Sequence, residues 1–232
     1  MQTICIDQID RLADYRGRWD ELAGGNVFRC WTWTTAWWKH YGEPNRQRRL
    51  RVLGALDDDR GPVAILPCYV EQSLARGRVW RLCGDGEVCS DHLGLLIADD
   101  AGDCALNALG EQVAARDDWD LLDLAPIDAD DRPTQYLADK LRQAGCSVGQ
   151  AEGPATWEIG LPATWDEYLG RLSKTHRKKF RRLESRLLET GLVQWHVVRD
   201  AEEFDAAWDL FEQLHRQRWQ SLGQRGCLGS PQ

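Results

Sequence analysis

The sequence predicts an α+β fold, a mixed α/β protein with a central mixed sheet flanked by helices. Three observations carry this. Strand-like apolar runs cluster between 50 and 83, with Asp57-Asp-Asp-Arg-Gly61 as a hairpin turn between the first two. Helical periodicities stand on both sides of that cluster and again after Pro162. Helices and strands then alternate, as crossovers on a sheet require.

Taken in order, Thr3–Ile6 is a short first strand and Asp10 a candidate N-cap. Leu12, Tyr15, Trp19 and Leu22 recur at helical spacing, and Gly24-Gly25 ends that helix. A second helix runs to about Tyr41, with Gly42 and Pro44 as its stop. It lies in the densest aromatic stretch of the chain, Phe28 to Gly42, with four Trp, one Tyr and one Phe. Such residues form a packing hub or line a cleft, because each brings a large apolar area, and Trp and Tyr also need a polar partner. Strands follow at Leu50–Leu56, Val63–Glu71, Arg78–Cys83 and Asp91–Ile97. Asp103–Ala115 reads as a helix, Trp119–Leu124 as a strand, Pro133–Gln143 as a helix closed by Gly145, and Ala155–Ile159 as the last strand of this part.

A second domain is expected from 161 to 232, after a first over 1–160. Thr164-Trp-Asp-Glu167 is a capping box. Leu169, Leu172, His176, Phe180, Leu183 and Leu187 share one helical face, and Gly191 stands at a C-cap position. Val193–Val198 reads as a strand. Asp200 with Glu203 opens a helix whose inner face is Phe204, Trp208, Phe211, His215, Trp219 and Leu222. One strand and two helices cannot cover their own apolar faces. The expectation is therefore of a domain that is only begun, with self-association through the faces after residue 162.

Composition narrows the function. A chain of 232 residues can bury a core without cross-links. A net charge of −8 argues against a general nucleic-acid or anionic-membrane binder. The first ten residues lack the basic start and apolar run of a signal peptide, and no run reaches the length of a membrane span. The eight cysteines are scattered without a Cys-x-x-Cys pair, as expected of thiols in a reducing cytoplasm. Cys83, Cys89 and His92 fit no standard zinc spacing.

Several pieces in order resemble a known family. They are Val27-Phe28 with Trp33–Gly42, Val63-Ala-Ile-Leu-Pro-Cys-Tyr69, Arg81-Leu-Cys-Gly84, Ser90-Asp-His-Leu-Gly-Leu-Leu96 and Trp119-Asp-Leu-Leu-Asp-Leu124. After them come Trp165–Leu169, Ser173-Lys174 with Arg177-Lys178, Arg181-Arg182-Leu183, and Leu214-His215 with Arg218-Trp219. Together they resemble the bacterial GNAT-type acetyltransferases of the CelD/BcsL group, also called BioF2-like. The resemblance implies two GNAT-like halves and transfer of an acyl group from acetyl-CoA or another acyl-CoA. The acceptor would be an amine or hydroxyl on a small molecule or saccharide, often in surface-polysaccharide or cell-envelope synthesis. It implies direct attack of the acceptor on the thioester, and a second half longer than the one here, so a truncated form is expected. The family's Arg/Gln-x-x-Gly-x-Gly/Ala phosphate turn is not found. Gln72–Arg78 and Gln224–Gly229 lack the spacing, and Gly84-Asp-Gly-Glu87 is acidic. A non-catalytic GNAT-like recognition module is the alternative.

The candidate residues each have two readings. Arg171, Lys174, Arg177, Lys178, Lys179, Arg181, Arg182 and Arg186 crowd one helix. They form a solvated face or an anion site, with Arg177, Arg181 and Arg182 as the candidate substrate contacts; nucleic acid is the weakest reading. Asp91 and His92 are candidates for general-base chemistry, although neighbours on a strand face opposite ways. His40 suits a helix C-terminus; His176 and His215 read as core histidines. Trp37 and Trp38, with Trp33, stack on a substrate or pack the core.

Overall fold

The structure is a computed structural model and describes residues 1–153 and 155–229. Its organising element is the hairpin read from the sequence. β2 (Arg48–Asp57) and β3 (Gly61–Ser73) pair antiparallel through a turn in which Asp57 Oδ1 accepts from the N–H groups of Asp59 and Arg60, while Gly61 takes φ 72°. β1 (Gln2–Ile6) pairs antiparallel with β2, and β4 (Gly77–Leu82) with β3. β6 (Leu121–Asp123) runs parallel to β4, and β5 (Leu96–Ile97) pairs with β3. The sheet is thus mixed, in the order β1-β2-β3-β4-β6 with β5 off the path.

Alternation along β2 and β3 sorts the core into two layers. Leu53, Ala55, Leu66 and Cys68 face α3 (Gly102–Ala114) and α4 (Arg132–Gln143), whose Leu106, Leu109, Val113, Leu137 and Leu141 complete that layer. Leu50, Val52, Ile65 and Tyr69 face the other way. There they meet Trp19 and Leu22 of α1 (Arg16–Leu22) and Trp37 of α2 (Trp31–Trp37), with Trp38 in the wide π-type turn Trp38–Gly42 that closes α2. Helices cover both faces of the sheet.

The chain divides into two compact units, 1–153 and 154–232. The second contains α5 (Trp165–Arg171), α6 (Lys174–Leu187), α7 (Ala201–Gln220) and a short 3-10 turn, Cys227–Gly229.

Several sequence expectations change. Val193–Val198 and Ala155–Ile159 are not strands, and the described residues of the second unit include no strand at all. A strand needs a neighbour for its backbone groups, and apolar content alone does not supply one. Asp91–Ile97 shrinks to β5, because His92 turns left-handed at φ 57° and the run bends before Leu96. Trp119–Leu124 shrinks to β6. Asp10 is not an N-cap: Gln8 holds that place, before a 3-10 segment Ile9–Tyr15 that leads into α1. The helical face expected from Leu169 to Leu187 is broken at Leu172, which is extended at ψ 155°; Ser173 then caps α6 by accepting from the His176 N–H. His176 is exposed and His215 half-buried, so neither is a core histidine.

Candidate functional site

In the first unit the polar groups gather where β4 gives way to the 83–95 loop. Tyr69 and Arg81 are register partners on β3 and β4 and point to the Trp-rich side. Asp85 follows the strand end and is buried, 6% exposed. Its carboxylate accepts from the Tyr69 hydroxyl at 2.8 Å and from Arg81 Nε, and its backbone carbonyl accepts from Trp37 Nε1 at 3.1 Å. Arg48 pairs with Glu71 at 2.9 Å and lies over the Trp37 and Tyr69 rings. Arg81 also reaches Asp123.

Burial, and then the Asp85 charge, push the Tyr69 phenol well above its ordinary range. Burial pulls Arg81 down, but the Asp85 hydrogen bond and charge outweigh it and hold the guanidinium charged. Burial likewise raises the Cys68 and Cys83 thiols, which removes them as nucleophiles. A buried carboxylate with a phenol and a guanidinium on its oxygens is a satisfied polar centre that locks the loop onto the sheet.

The outer part of the loop holds the second group. Ser90 accepts from Trp33 Nε1 at 3.0 Å. His92 Nδ1 meets both carboxylate oxygens of Asp128 at 2.9 Å. Cys89 and His92 both adopt left-handed backbone, φ 50° and 57°. Arg29 donates to the Leu95 carbonyl; burial lowers its pKa, and the charges of Asp131 and Asp128 oppose that. An imidazole backed by a carboxylate can take a proton from a bound group. A small pocket lined by Phe28, Arg29, Thr34 and Leu93, but not by His92 or Asp128, has room for about one water molecule.

The candidates fall as follows. His92 pairs with Asp128, while Asp91 is exposed beside it, so the two adjacent candidates do not act as a pair. Trp37 and Trp38 are 4% and 7% exposed and pack on Tyr69 within the core layer. Arg177 is half-buried and donates to the Gly170 and Leu172 carbonyls, holding the end of α5. Arg181 and Arg182 are exposed on α6. Cys83 is buried and Cys89 exposed. The sequence reading missed Asp85, Tyr69, Arg81 and Asp128. Tyr69 meets Asp85 across 16 residues and His92 meets Asp128 across 36, pairs that no local pattern marks, whereas Arg81 stands only four residues before Asp85.

Residues 174–231 match the family model of the acetyltransferase (GNAT) domain. That match opens on the first residue of α6 and spans α7. No curated protein matches the chain. A solved structure described as "Crystal structure of a probable acetyltransferase" aligns at a TM-score of 0.34 and 16% identity, over 71% of this chain and 99% of that one. The two share too little of their path for the likeness to say anything further about this chain.

GNAT domains generally use acyl-CoA, whose pyrophosphate calls for free backbone N–H groups at a helix N-terminus. The long helices described do not offer them freely. Ser173 caps α6 and Asp131 caps α4 with their own side chains. Asp103 stands in the first turn of α3, and Glu202 and Glu203 in that of α7, where they repel a phosphate. None of these four helix N-termini offers a pyrophosphate a first turn free of both a side-chain cap and a carboxylate.

Proposed function

We propose that the protein is a GNAT-type acyltransferase polypeptide of the CelD/BcsL group. Its donor is acetyl-CoA or another acyl-CoA, and its acceptor an amine or hydroxyl on a small molecule or saccharide of surface-polysaccharide or cell-envelope synthesis. The observation that carries this reading is the GNAT-domain match over 174–231. The order of motifs along both units supports it. In this reading Arg181 and Arg182, exposed on α6, contact an anionic group of the substrate. His92, held by Asp128, is the candidate base.

The poor fit of the helix N-termini to a pyrophosphate favours a second reading, in which the chain is a non-catalytic GNAT-like recognition module. Calorimetric titration with acetyl-CoA, beside a thermal-shift series, separates the two. Saturable binding that raises the melting temperature supports the enzyme, because a ligand selective for the folded state stabilises it. A flat titration at millimolar ligand, with the protein folded, refutes catalysis by this chain and leaves the module.

The same reading places the protein in the cytoplasm. It also takes exposed Phe204, Trp208, Phe211 and Leu214 of α7 as a self-association surface. A monomer at every concentration in sedimentation velocity would remove that last element.

A further inference from the structure

α6 carries seven Lys and Arg side chains against one Glu in fourteen residues, within a chain of net charge −8. At about 100° per residue the cations sweep an arc of roughly 200°, while Phe180, Leu183 and Leu187 share a narrow arc opposite. A solvated helix face ordinarily mixes signs, as α7 does where Arg216 pairs with Glu212. Among the described residues no cation of α6 makes an ion pair; Arg177 is spent on backbone carbonyls, and the other six stand exposed.

The apolar arc is not sealed either. Phe180 and Leu183 are 38% and 41% exposed, and Phe180 sets its edge on Trp165, itself 49% exposed. At the far end the chain turns at Gly191, and the Val193 N–H returns to the Leu187 carbonyl. That turn brings Leu192, 72% exposed, to the end of the helix.

We propose that α6, with the 188–193 turn that closes it, is a peripheral attachment surface for an anionic lipid bilayer. The charge complement lies at the edge of the apolar arc: Lys179 and Arg186 flank it and can reach headgroup phosphates while their methylene stems lie along the apolar edge. Lys174, Lys178, Arg181 and Arg182, on the far side of the helix, add longer-range attraction. Phe180, Leu183, Leu192 and the Trp165 ring enter the boundary between headgroups and acyl chains, where amphipathic aromatics settle. A nucleic-acid backbone would satisfy the cations and leave these apolar groups in water, which is why the lipid surface is favoured.

Cosedimentation of the full chain with vesicles tests it. Partition is expected into phosphatidylcholine mixed with phosphatidylglycerol, not into phosphatidylcholine alone, and it should weaken as salt is raised. Changing exposed Lys179 and Arg186 to Gln is expected to lower the partition constant about 25-fold, at roughly fivefold for each charge near the surface, and further than changing Lys174 and Lys178 on the far side of the helix. Leu192→Ser is expected to lower it about tenfold through lost apolar contact. Equal partition into both vesicle types, or none at millimolar lipid, would overturn the proposal. So would duplex DNA that displaces the protein from vesicles and binds it more tightly at the same salt.

Discussion

Tyr69→Phe removes one oxygen from a closed site. The hydroxyl donates to Asp85 at 2.8 Å, the carboxylate is 6% exposed, and water cannot easily replace the lost donor. Arg81 still holds the other carboxylate oxygen, so the charge remains compensated and the fold survives. A hydrogen bond to a charged group contributes about 1.5–3 kcal/mol, and an unsatisfied buried acceptor costs a similar amount. The substitution leaves the tilted ring contact with Trp37 intact, so packing contributes little. The expected loss is about 2 kcal/mol, or roughly 4–8 °C in melting temperature for a chain of this size. Urea unfolding followed by tryptophan emission reads the loss. A double-mutant cycle with Asp85→Asn should return a coupling of about 1 kcal/mol or more. A Tyr69→Phe protein within about 0.5 kcal/mol of the parent would refute the claim that Asp85 depends on this donor.

Gly42→Ala should destabilise by about 1–3 kcal/mol, because a Cβ there would lie 2.1 Å from the Trp38 ring in a packed layer; chemical denaturation checks it, and an unchanged midpoint would show that Trp38 can move. Acid should erode stability in a defined window. Arg78 hydrogen bonds hold the Asp120 carboxyl at about 2, and those of Arg116 and then Arg51 lower Asp118. Folded pKa values below the unfolded ones give stability that is fully present above about pH 4 and lost as pH falls through the folded values. Asp120→Asn should therefore be less stable than the parent at neutral pH and converge with it near pH 2 in thermal melts; parallel curves would contradict the pairing. In the native protein Cys89, Cys104 and Cys227 should react first with a thiol reagent, while buried Cys68 and Cys83 wait for unfolding; a fast-reacting Cys83 would contradict the packing of the sheet.

Local patterns in the sequence predict the parts of this fold that depend on neighbours in the chain. The Asp57–Gly61 turn and the alternation on either side of it make β2 and β3 legible, because turn chemistry and period agree. Leu12, Trp19 and Leu22 are buried as their spacing implies, although a 3-10 segment replaces the first turn of the expected helix. Val193–Val198 and Ala155–Ile159 have strand-like composition but no partner among the described residues, and composition does not encode a partner. The break before α6 was legible in Ser173, a favoured N-cap residue, but the apolar stripe running past it masked the signal. The site divides in the same way. The basic helix is visible as a run of Lys and Arg. The Asp85 centre is not, since Tyr69 meets Arg81 and Asp85 only once β3 and β4 are in register.

The widened turn at Trp38–Gly42 has an evolutionary consequence. Such a turn carries one residue more than a regular helical turn, and here it follows directly on two successive buried indoles, Trp37 and Trp38. In descendants of this chain, losing one position between 38 and 42 would restore an ordinary helical turn and change the path by which the chain reaches β2. The spacing from Trp37 to β2 is therefore a dimension that drift by insertion or deletion should leave untouched, while replacement of the exposed residues Lys39 and His40 is free.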